Sequence, residues 1–325
     1  ILLFDSATEE VREAVLPAIR QDISSWSATS STIDSQGNIW LSLYQRGVVV
    51  APQSMFGFSY LGCSSRNIPG ENSACITAIY EDGKYLWVAT DGAGIFRKPL
   101  DGAGPDRNYT SENTALTDNS VMGMTGDKHG TLWLGTYNDG LFYMDPNGTV
   151  TRFADQDRIG TERIRTLAYD PARDLVYVGT YGAGLAVIDA SSRRFASQQV
   201  DDQYRWISAL HLDANGLLWV GSYNGPWCYD PSAGRTISYT LPSHSDTPPR
   251  IYGIGSSPDG TKWFGTDDGL FRVDEVTREV RQYTEADGLS NNVIRDILCT
   301  ASGEVWVSTL SGLSRLSPRS GRIRS

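Results

Sequence analysis

The chain has 325 residues, 40% of them hydrophobic, and its 28 basic and 38 acidic side chains give a formal net charge of −10. This composition is sufficient for a folded core and excludes a mainly disordered chain. The acidic balance argues against nucleic acid or an anionic membrane as the bulk partner, and no apolar run is long enough for a transmembrane helix.

Residues 1–26 are predicted to form a partial unit that precedes the main fold. The segment ILLFDSATEEVREA from Ile1 aligns with LFRVDEVTREVRQY from Leu270, which occupies the last two strands of a later repeat. A short helix is the alternative, because TEEVREAV contains good helix formers, but the length of the alignment favours strands. The pair could close the ring of sheets, or belong to an eighth blade or to a preceding propeller. Because the chain begins with Ile and carries no signal sequence, we expect a processed or excised piece.

One pattern repeats about seven times from residue 27 to residue 325. Each unit has an apolar strand a, an Asp turn, a strand b with an aromatic anchor, a Gly before strand c, and an irregular strand d. The anchors are Trp40, Trp87, Trp133, Tyr177, Trp219, Trp263 and Trp306. A period of about 40–45 residues with several short strands is typical of β-propellers. The sequence therefore predicts an all-β fold, a seven-bladed β-propeller of four-stranded antiparallel blades, with eight blades less favoured.

Two further positions recur in each unit. Asp residues such as Asp127 and Asp213 can close an Asx-turn between strands a and b, usually with a following Gly at positive φ. The fourth unit departs, since Asp170–Asp174 lacks the Gly and is one residue longer. A small residue follows each anchor by two positions, which predicts close approach of adjacent sheets. These small residues are Ser42, Ala89, Gly135, Gly179, Gly221, Gly265 and Ser308.

The sequence contains no GxxxxGK(S/T), HExxH, GxSxG or GxGxxG motif and no EF-hand loop. The three His residues are scattered over different units, which favours solvent-facing or core roles. The four Cys residues contain no Cys-x-x-Cys pair, so neither a metal framework nor a disulfide scaffold is predicted. Cys63 and Cys75 are expected to be free thiols, with pairing in an oxidising compartment as the alternative. We predict no catalytic residue, metal or cofactor.

The sequence segment most specific for a known repeat is YTEADGLSNNVIRDILCTASGEVWVSTLSGLSRLS, from Tyr283 to Ser317. It resembles the two-component regulator propeller repeat, and the segment from Tyr109 to Leu141 matches the same pattern. The resemblance implies a periplasmic, ligand-sensing part of an inner-membrane hybrid histidine kinase that detects a glycan fragment and regulates polysaccharide utilisation. It also implies that this chain is not an enzyme, although its parent protein is a kinase.

The same resemblance and the repeat pattern define the expected partners. These are an oligosaccharide or other small soluble ligand, a neighbouring propeller or sandwich domain, and a second copy in a homodimer. Neither nucleic acid nor a membrane is expected to contact this chain.

The candidate ligand site lies where the b–c loops and the segments before strand a emerge on one face. The b–c loop varies between units, and a Tyr recurs in four of them; before strand a stand three Arg and one Trp. Tyr offers a flat face to a sugar ring, although each Tyr could instead pack its own loop. Arg suits an acidic glycan or could instead neutralise neighbouring Asp. The predicted ligand-binding residues are Tyr44, Tyr137, Asn138, Arg163, Tyr181, Arg205, Trp206, Tyr223, Asn224, Arg250 and Asp267.

Two other functions compete with sensing. A secreted propeller lyase or glycosidase would need converging carboxylates, for example Asp139 with Asp91 or Asp267. A protein–protein interaction propeller would use the Tyr-rich face to bind a peptide or a second copy.

Overall fold

The structure is a computed structural model that describes residues 2–4, 11–13, 28–34, 39–45, 47–51, 59–61, 75–199, 202–243, 247–318 and 320–325. Seven four-stranded antiparallel sheets follow one another along the chain, and in each sheet the strands pair in sequence order. This arrangement is the predicted seven-bladed β-propeller. Within the described residues, no helix is long and apolar enough to cross a membrane.

The seven blades comprise strands β3 to β30. Blades 1 to 4 contain β3–β6 (Ala28–Ile33, Ile39–Leu43, Gly47–Ala51, Ser59–Leu61), β7–β10 (Cys75–Glu81, Tyr85–Asp91, Ile95–Pro99, Arg107–Tyr109), β11–β14 (Val121–Gly126, Leu132–Thr136, Leu141–Met144, Val150–Arg152) and β15–β18 (Ile164–Asp170, Leu175–Thr180, Leu185–Asp189, Arg194–Gln199). Blades 5 to 7 contain β19–β22 (Ile207–Leu212, Leu218–Ser222, Gly225–Asp230, Arg235–Ser238), β23–β26 (Ile251–Ser256, Lys262–Thr266, Gly269–Val273, Val280–Tyr283) and β27–β30 (Ile294–Cys299, Val305–Thr309, Gly312–Ser317, Arg322–Arg324). Three short 3₁₀ turns are found at Gln156–Arg158, Asp202–Tyr204 and Glu285–Asp287.

The N-terminal segment contains a separate pair of strands. Leu2–Phe4 (β1) and Val11–Glu13 (β2) pair antiparallel, in agreement with the predicted strands and not with the alternative helix. The domain boundary predicted between residues 26 and 27 lies outside the described residues. The assignment of this pair to a further blade therefore stays a prediction.

The ring closes through contact between whole blades. Strand a of each blade packs against strand a of the next, and β27 of blade 7 packs against β3 of blade 1. Ser30 Oγ donates a hydrogen bond to Asp296 Oδ2 at 3.1 Å across this last junction. All four strands of blade 1 precede blade 2 in the chain, so closure does not depend on a blade assembled from both termini.

The repeated Asp has two structural roles. In blade 3, Asp127 Oδ1 accepts the backbone N–H groups of His129 and Thr131, both at 2.9 Å, which is the predicted Asx-turn. Its other oxygen accepts the indole N–H of the buried anchor Trp133 at 2.8 Å. The same indole bond joins Trp40 to Asp34, Trp87 to Asp82 and Trp219 to Asp213, at 2.7–2.9 Å. The turn carboxylate therefore fixes both the hairpin and the core aromatic.

The fourth blade keeps the turn Asp but replaces the Trp anchor and the turn Gly. Its anchor is Tyr177, whose hydroxyl donates to Asp170 Oδ2 at 3.4 Å. Asp174 adopts φ 58° at the turn position where blade 3 has Gly130 at φ 76°. A non-glycine residue in the left-handed region is uncommon but is best tolerated by Asn and Asp, which explains why the missing Gly does not break the repeat.

Replacing Asp127 with Ala is expected to lower the free energy of unfolding by about 1–3 kcal/mol, because the buried indole N–H of Trp133 loses its acceptor. Asp101→Ala is the control, since Asp101 accepts one exposed backbone N–H, from Ala103 at 2.8 Å. Surface changes of this kind stay within about 0.5 kcal/mol. Urea unfolding of both variants measures the difference, and equal losses would contradict the dual role of the carboxylate.

The small residue of strand b allows the first residue of the next blade to pack directly on it. A Cβ at Gly135 would lie 2.4 Å from Ile164 Cγ2, and one at Gly221 would lie 2.6 Å from Ile251 Cγ2. Gly179 and Gly265 show the same approach to Ile207 and Ile294, at 2.7 and 2.5 Å. The predicted close approach of adjacent sheets is confirmed in these blades.

The variant Gly135→Ala is expected to lose about 1–3 kcal/mol of stability by overpacking against Ile164. Blade 2 contains a natural precedent, because Ala89 in its strand b belongs to one core cluster with Val121, the first residue of blade 3. The double variant Gly135→Ala/Ile164→Val recreates that pair. Its loss should be at least about 0.5 kcal/mol smaller than the sum of the single losses, and additive losses would contradict the pairing.

Candidate functional site

The b–c loops and the residues just before strand a form one face of the propeller, which we call the mouth face. A backbone hydrogen bond joins the two segments within each of blades 3 to 7, at 2.9–3.3 Å. The bonds run from Tyr137 N to Ser120 O, Tyr181 N to Arg163 O, Tyr223 N to Trp206 O, Asp267 N to Arg250 O and Leu310 N to Val293 O. The predicted emergence of both segments on the same face is thus observed in these blades.

The mouth face is also where large apolar side chains are exposed. Of the six such side chains in the described part of the chain, four lie there: Tyr44, Tyr137, Trp206 and Leu310. The other two, Ile237 and Val276, lie on the outer strand β22 and in the turn after β25. Exposed apolar groups gathered on one face are characteristic of a recognition surface.

Three aromatic rings from blades 4 and 5 pack together on the mouth face. Tyr181 lies 5.8 Å from both Trp206 and Tyr223, and the rings of Trp206 and Tyr223 are stacked at 6.3 Å with an interplanar angle of 17°. Tyr223 donates its hydroxyl hydrogen to Tyr181 at 3.2 Å. Trp206 remains 45% exposed while both Tyr residues are half-buried. The Tyr pair therefore supports a Trp ring that is presented to solvent, and we call the three residues the aromatic cluster.

Charged and polar groups from blade 6 complete a cavity next to the aromatic cluster. The Arg250 guanidinium lies 5.1 Å from the Tyr223 ring, and the backbone N–H of Arg250 donates to Asp267 Oδ1 at 3.0 Å. The cavity has a volume of about 560 Å³. It is lined by Trp206, Tyr223, Asn224, Thr247, Pro248, Arg250 and Asp267.

The Tyr223 hydroxyl stays protonated and can therefore donate a hydrogen bond. Burial, together with the hydrogen bond to Tyr181, raises the pKa of Tyr223 to about 12. The hydroxyl is therefore protonated at any physiological pH, and Tyr223 adds no negative charge to the cavity.

Six of the predicted site residues thus form one group, and the other five lie elsewhere on the mouth face or contribute backbone atoms. Tyr137 and Arg163 form a second pair, with the guanidinium 5.8 Å from the ring. The backbone N–H of exposed Asn138 donates to Asp118 Oδ2 at 3.0 Å. The Arg205 carbonyl accepts N–H groups from the blade 4 loop, and Tyr44 is exposed on blade 1. That any of them binds a ligand stays a prediction.

Of the residues proposed for an enzymatic alternative, Asp267 uses its carboxylate to accept the backbone N–H of Arg250. Asp91 and Asp139 make backbone contacts, Asp91 through a β-bridge to Ser120 of the next blade and Asp139 through its N–H, which donates to Thr136 Oγ1 at 3.0 Å. Among the described residues, no group of three or more His, Cys, Asp or Glu is arranged to hold a metal ion. Cys75 is a free thiol, as predicted, and Cys63 lies outside the described residues.

Sequence reasoning missed a second set of residues, which line a channel along the propeller axis. In every blade the pairing register of strand a shifts near its start, across the second residue in six blades and across the third in blade 2. These bulged residues are Thr29, Thr77, Met122, Arg165, Ser208, Tyr252 and Arg295, and all seven line an axial cavity of about 170 Å³. The available signal was the position that follows the first apolar residue of each strand a, where the side chains range from Ser to Arg and Tyr while the next position carries mostly small residues.

Comparison with known proteins places these observations in context. The two component regulator propeller model matches residues 115–138 and 288–311. A comparison with curated proteins found no match. The extracellular domain of the putative hybrid two component system BT4673 from B. thetaiotaomicron has a TM-score of 0.73 and 22% identity, over 97% of this chain and 39% of that chain.

Two further solved structures share the fold. The extracellular domain of the putative hybrid two component system BT3049 from B. thetaiotaomicron has a TM-score of 0.73 and 20% identity, over 91% of this chain and 41% of that chain. A catalytically inactive virginiamycin B lyase from Staphylococcus aureus, solved with quinupristin, has a TM-score of 0.73 and 11% identity, over 91% and 97%. This chain spans about two fifths of the two-component extracellular domains. It is a seven-bladed β-propeller that carries two-component regulator propeller repeats.

Proposed function

We propose that this propeller binds a glycan fragment at its mouth face and is the extracytoplasmic sensing part of a two-component histidine kinase that regulates polysaccharide utilisation. The observation that carries the proposal is the cavity beside the aromatic cluster. A volume of about 560 Å³ lies within the usual range for small-molecule sites, which combine apolar walls with a few polar groups. The repeat matches and the shared fold with extracellular two-component domains support the sensing role.

The residues of the cavity have complementary chemistry for a sugar. The exposed face of Trp206 can stack on the apolar face of a pyranose ring. Asn224 and Asp267 offer groups that pair with sugar hydroxyls, and the Arg250 guanidinium can bind a carboxylate on an acidic unit. Signalling then requires that the ligand bind two arrangements of the propeller and its neighbouring domain, or of two copies of the chain, with different affinities.

Isothermal titration with neutral and uronic oligosaccharides tests the proposal. We expect binding by the unmodified chain and at least tenfold weaker binding by Trp206→Ala, because the stacking surface is removed. Ile237→Ala is the matched control, since it removes an exposed apolar side chain away from the mouth face. Failure of every oligosaccharide to bind, or equal affinity of both variants, would overturn the proposal.

The same experiment separates the competing functions. An exported propeller lyase or glycosidase would shorten the oligosaccharide, which chromatography of the titrated sample would reveal as new products. A protein–protein interaction propeller would bind no sugar. We expect the oligosaccharide to be recovered unchanged after binding.

A further inference from the structure

The seven bulged side chains of the axial channel comprise three small hydroxyl residues, two arginines, Met122 and Tyr252. Three of the seven bulged residues carry hydroxyls that connect adjacent blades. Thr29 donates to the Ile76 carbonyl at 3.1 Å, and Thr77 and Ser208 donate in the same way to the carbonyls of Val121 and Ile251. Each acceptor directly precedes the bulged residue of strand a in the next blade. These three residues therefore have a structural task that explains their presence in the channel.

Two bulged arginines have no comparable task. Arg165 of blade 4 makes one long hydrogen bond, from Nη1 to the Met122 carbonyl at 3.3 Å. Arg295 of blade 7 lies with its guanidinium 5.4 Å from the Tyr252 ring, and its buried Nε has no hydrogen-bond partner. Within the described part of the chain, neither guanidinium forms an ion pair with a carboxylate.

The acidic group nearest in sequence is already bonded elsewhere. Asp296 lines the same cavity, but its Oδ2 accepts the Ser30 hydroxyl at 3.1 Å and its Oδ1 accepts the Ile297 N–H at 2.9 Å. Two guanidinium groups that line one small cavity without a salt-bridge partner repel each other, and an anion bound between them would offset this repulsion. In a chain of net charge −10, such a local excess of positive charge is the exception.

The two arginines act on the same region although they belong to blades on opposite sides of the ring. Burial raises the pKa of the Cys75 thiol in blade 2, and the charges of both Arg165 and Arg295 act on this thiol in the opposite direction. Arg165 and Tyr252 also influence the ionisation of Tyr223 in the aromatic cluster. Arg165 and Arg295 each follow a mouth-face residue, Arg163 and Val293, by two positions, so the bulged end of the channel lies at this face.

We propose that the axial channel is an oxyanion site in which Arg165 and Arg295 together bind a carboxylate or sulfate group. Guanidinium forks bind both groups through paired charge-assisted hydrogen bonds. The inference deepens the proposed function. It rests on that function only for the identity of the ligand, an acidic glycan fragment whose sugar rings would contact the aromatic cluster.

Titration calorimetry at constant ionic strength tests the site with three probes, namely sodium sulfate, glucuronate and neutral glucose. We expect sulfate and glucuronate to bind and glucose to bind more weakly. The double variant Arg165→Gln/Arg295→Gln should weaken binding of both anions at least tenfold. The control Arg194→Gln/Arg235→Gln makes the same change of charge on the outer strands β18 and β22 and should leave anion binding unchanged. Thermal unfolding checks that each variant is folded.

The variant Arg165→Lys/Arg295→Lys separates charge from geometry and serves if the Gln variant does not fold. It keeps both charges but loses the paired donors, so we expect an intermediate affinity. Absence of anion binding by the unmodified chain, or equal binding by the Gln double variant and its control, would overturn the site. Neutral oligosaccharides would still bind the mouth face in that case if the proposed function holds, so the two failures are distinguishable.

Discussion

Replacing Lys262 with Met will lower the free energy of unfolding by about 3–5 kcal/mol, the usual cost of leaving a buried charge without its partner. Lys262 and Asp213 are both 1% exposed, and Lys262 Nζ lies 2.8 Å from Asp213 Oδ2. The ammonium group also lies 3.3 Å from Glu275 Oε2 and 5.4 Å from the Trp219 ring. Without the ammonium group, Asp213 would be buried as an uncompensated anion.

The position of Lys262 explains why one residue connects two blades. It precedes the anchor Trp263 in strand b of blade 6, where blades 3 and 5 have Leu132 and Leu218. Its side chain extends to the turn carboxylate of blade 5, which already holds Trp219. The ion pair is therefore part of the contact between the two sheets.

Lys128→Met is the matched control for this prediction. Lys128 Nζ lies 3.3 Å from Asp174 Oδ2, but the lysine side chain is 50% exposed. Exposed pairs contribute about 0–1 kcal/mol, so chemical denaturation should show a small loss for Lys128→Met and a large one for Lys262→Met. Similar losses in the two variants would mean that the buried pair contributes no more to the free energy of unfolding than a surface pair.

Lowering the pH from about 6.5 to about 4 will destabilise the fold through His211, by up to about 3 kcal/mol. Burial, with the nearby charge of Lys262, lowers the pKa of His211 from 6.5 to about 4, although Asp213 acts in the opposite direction. In the folded chain the ring stays neutral, with Nε2 2.9 Å from Ser256 Oγ. In the unfolded chain the ring binds a proton below about pH 6.5. Between the two pKa values the unfolded chain therefore binds more protons than the folded chain, and the free energy of unfolding falls as the pH is lowered.

The variant His211→Gln isolates this contribution. Hydrogen bonds and the cation of Lys262 hold the pKa of Asp213 below its usual value, and the proton uptake of that carboxylate therefore occurs at lower pH than the histidine window. Urea unfolding at several pH values from 7 to 4 should give a steeper loss of stability for the unmodified chain than for His211→Gln. Parallel curves would show that His211 titrates alike in the folded and unfolded chains.

The sequence was sufficient to predict the blade because its determinants are local and repeated. The anchor aromatic, the Asp turn and the small residue each recur at a fixed position of the repeat. Because side chains alternate between the two faces of a strand, these local positions predict both the hairpins and the buried face. Even the departure at blade 4 was visible, although only the backbone shows that Asp174 takes the place of the Gly.

Contacts between blades could not be predicted in the same way. The pairing of Lys262 with Asp213 depends on how one sheet leans on the next, and the shared channel of Arg165 and Arg295 depends on closure of the whole ring. The packing of the Tyr residues also depends on neighbouring blades, because Tyr181 and Tyr223 contact each other across blades 4 and 5 and Trp206 stacks on Tyr223. Their binding of a ligand stays a prediction.

Fluorine NMR of the protein labelled with 5-fluorotryptophan tests the mouth face as a binding surface most directly. The Trp206 resonance can be assigned from its loss in Trp206→Phe, and the buried anchors Trp133, Trp219 and Trp263 provide internal references. On titration with neutral and uronic oligosaccharides, we predict a saturable shift of the Trp206 resonance while the three anchor resonances stay in place. A Trp206 resonance that does not move, or a shift confined to the anchors, would contradict recognition at this face.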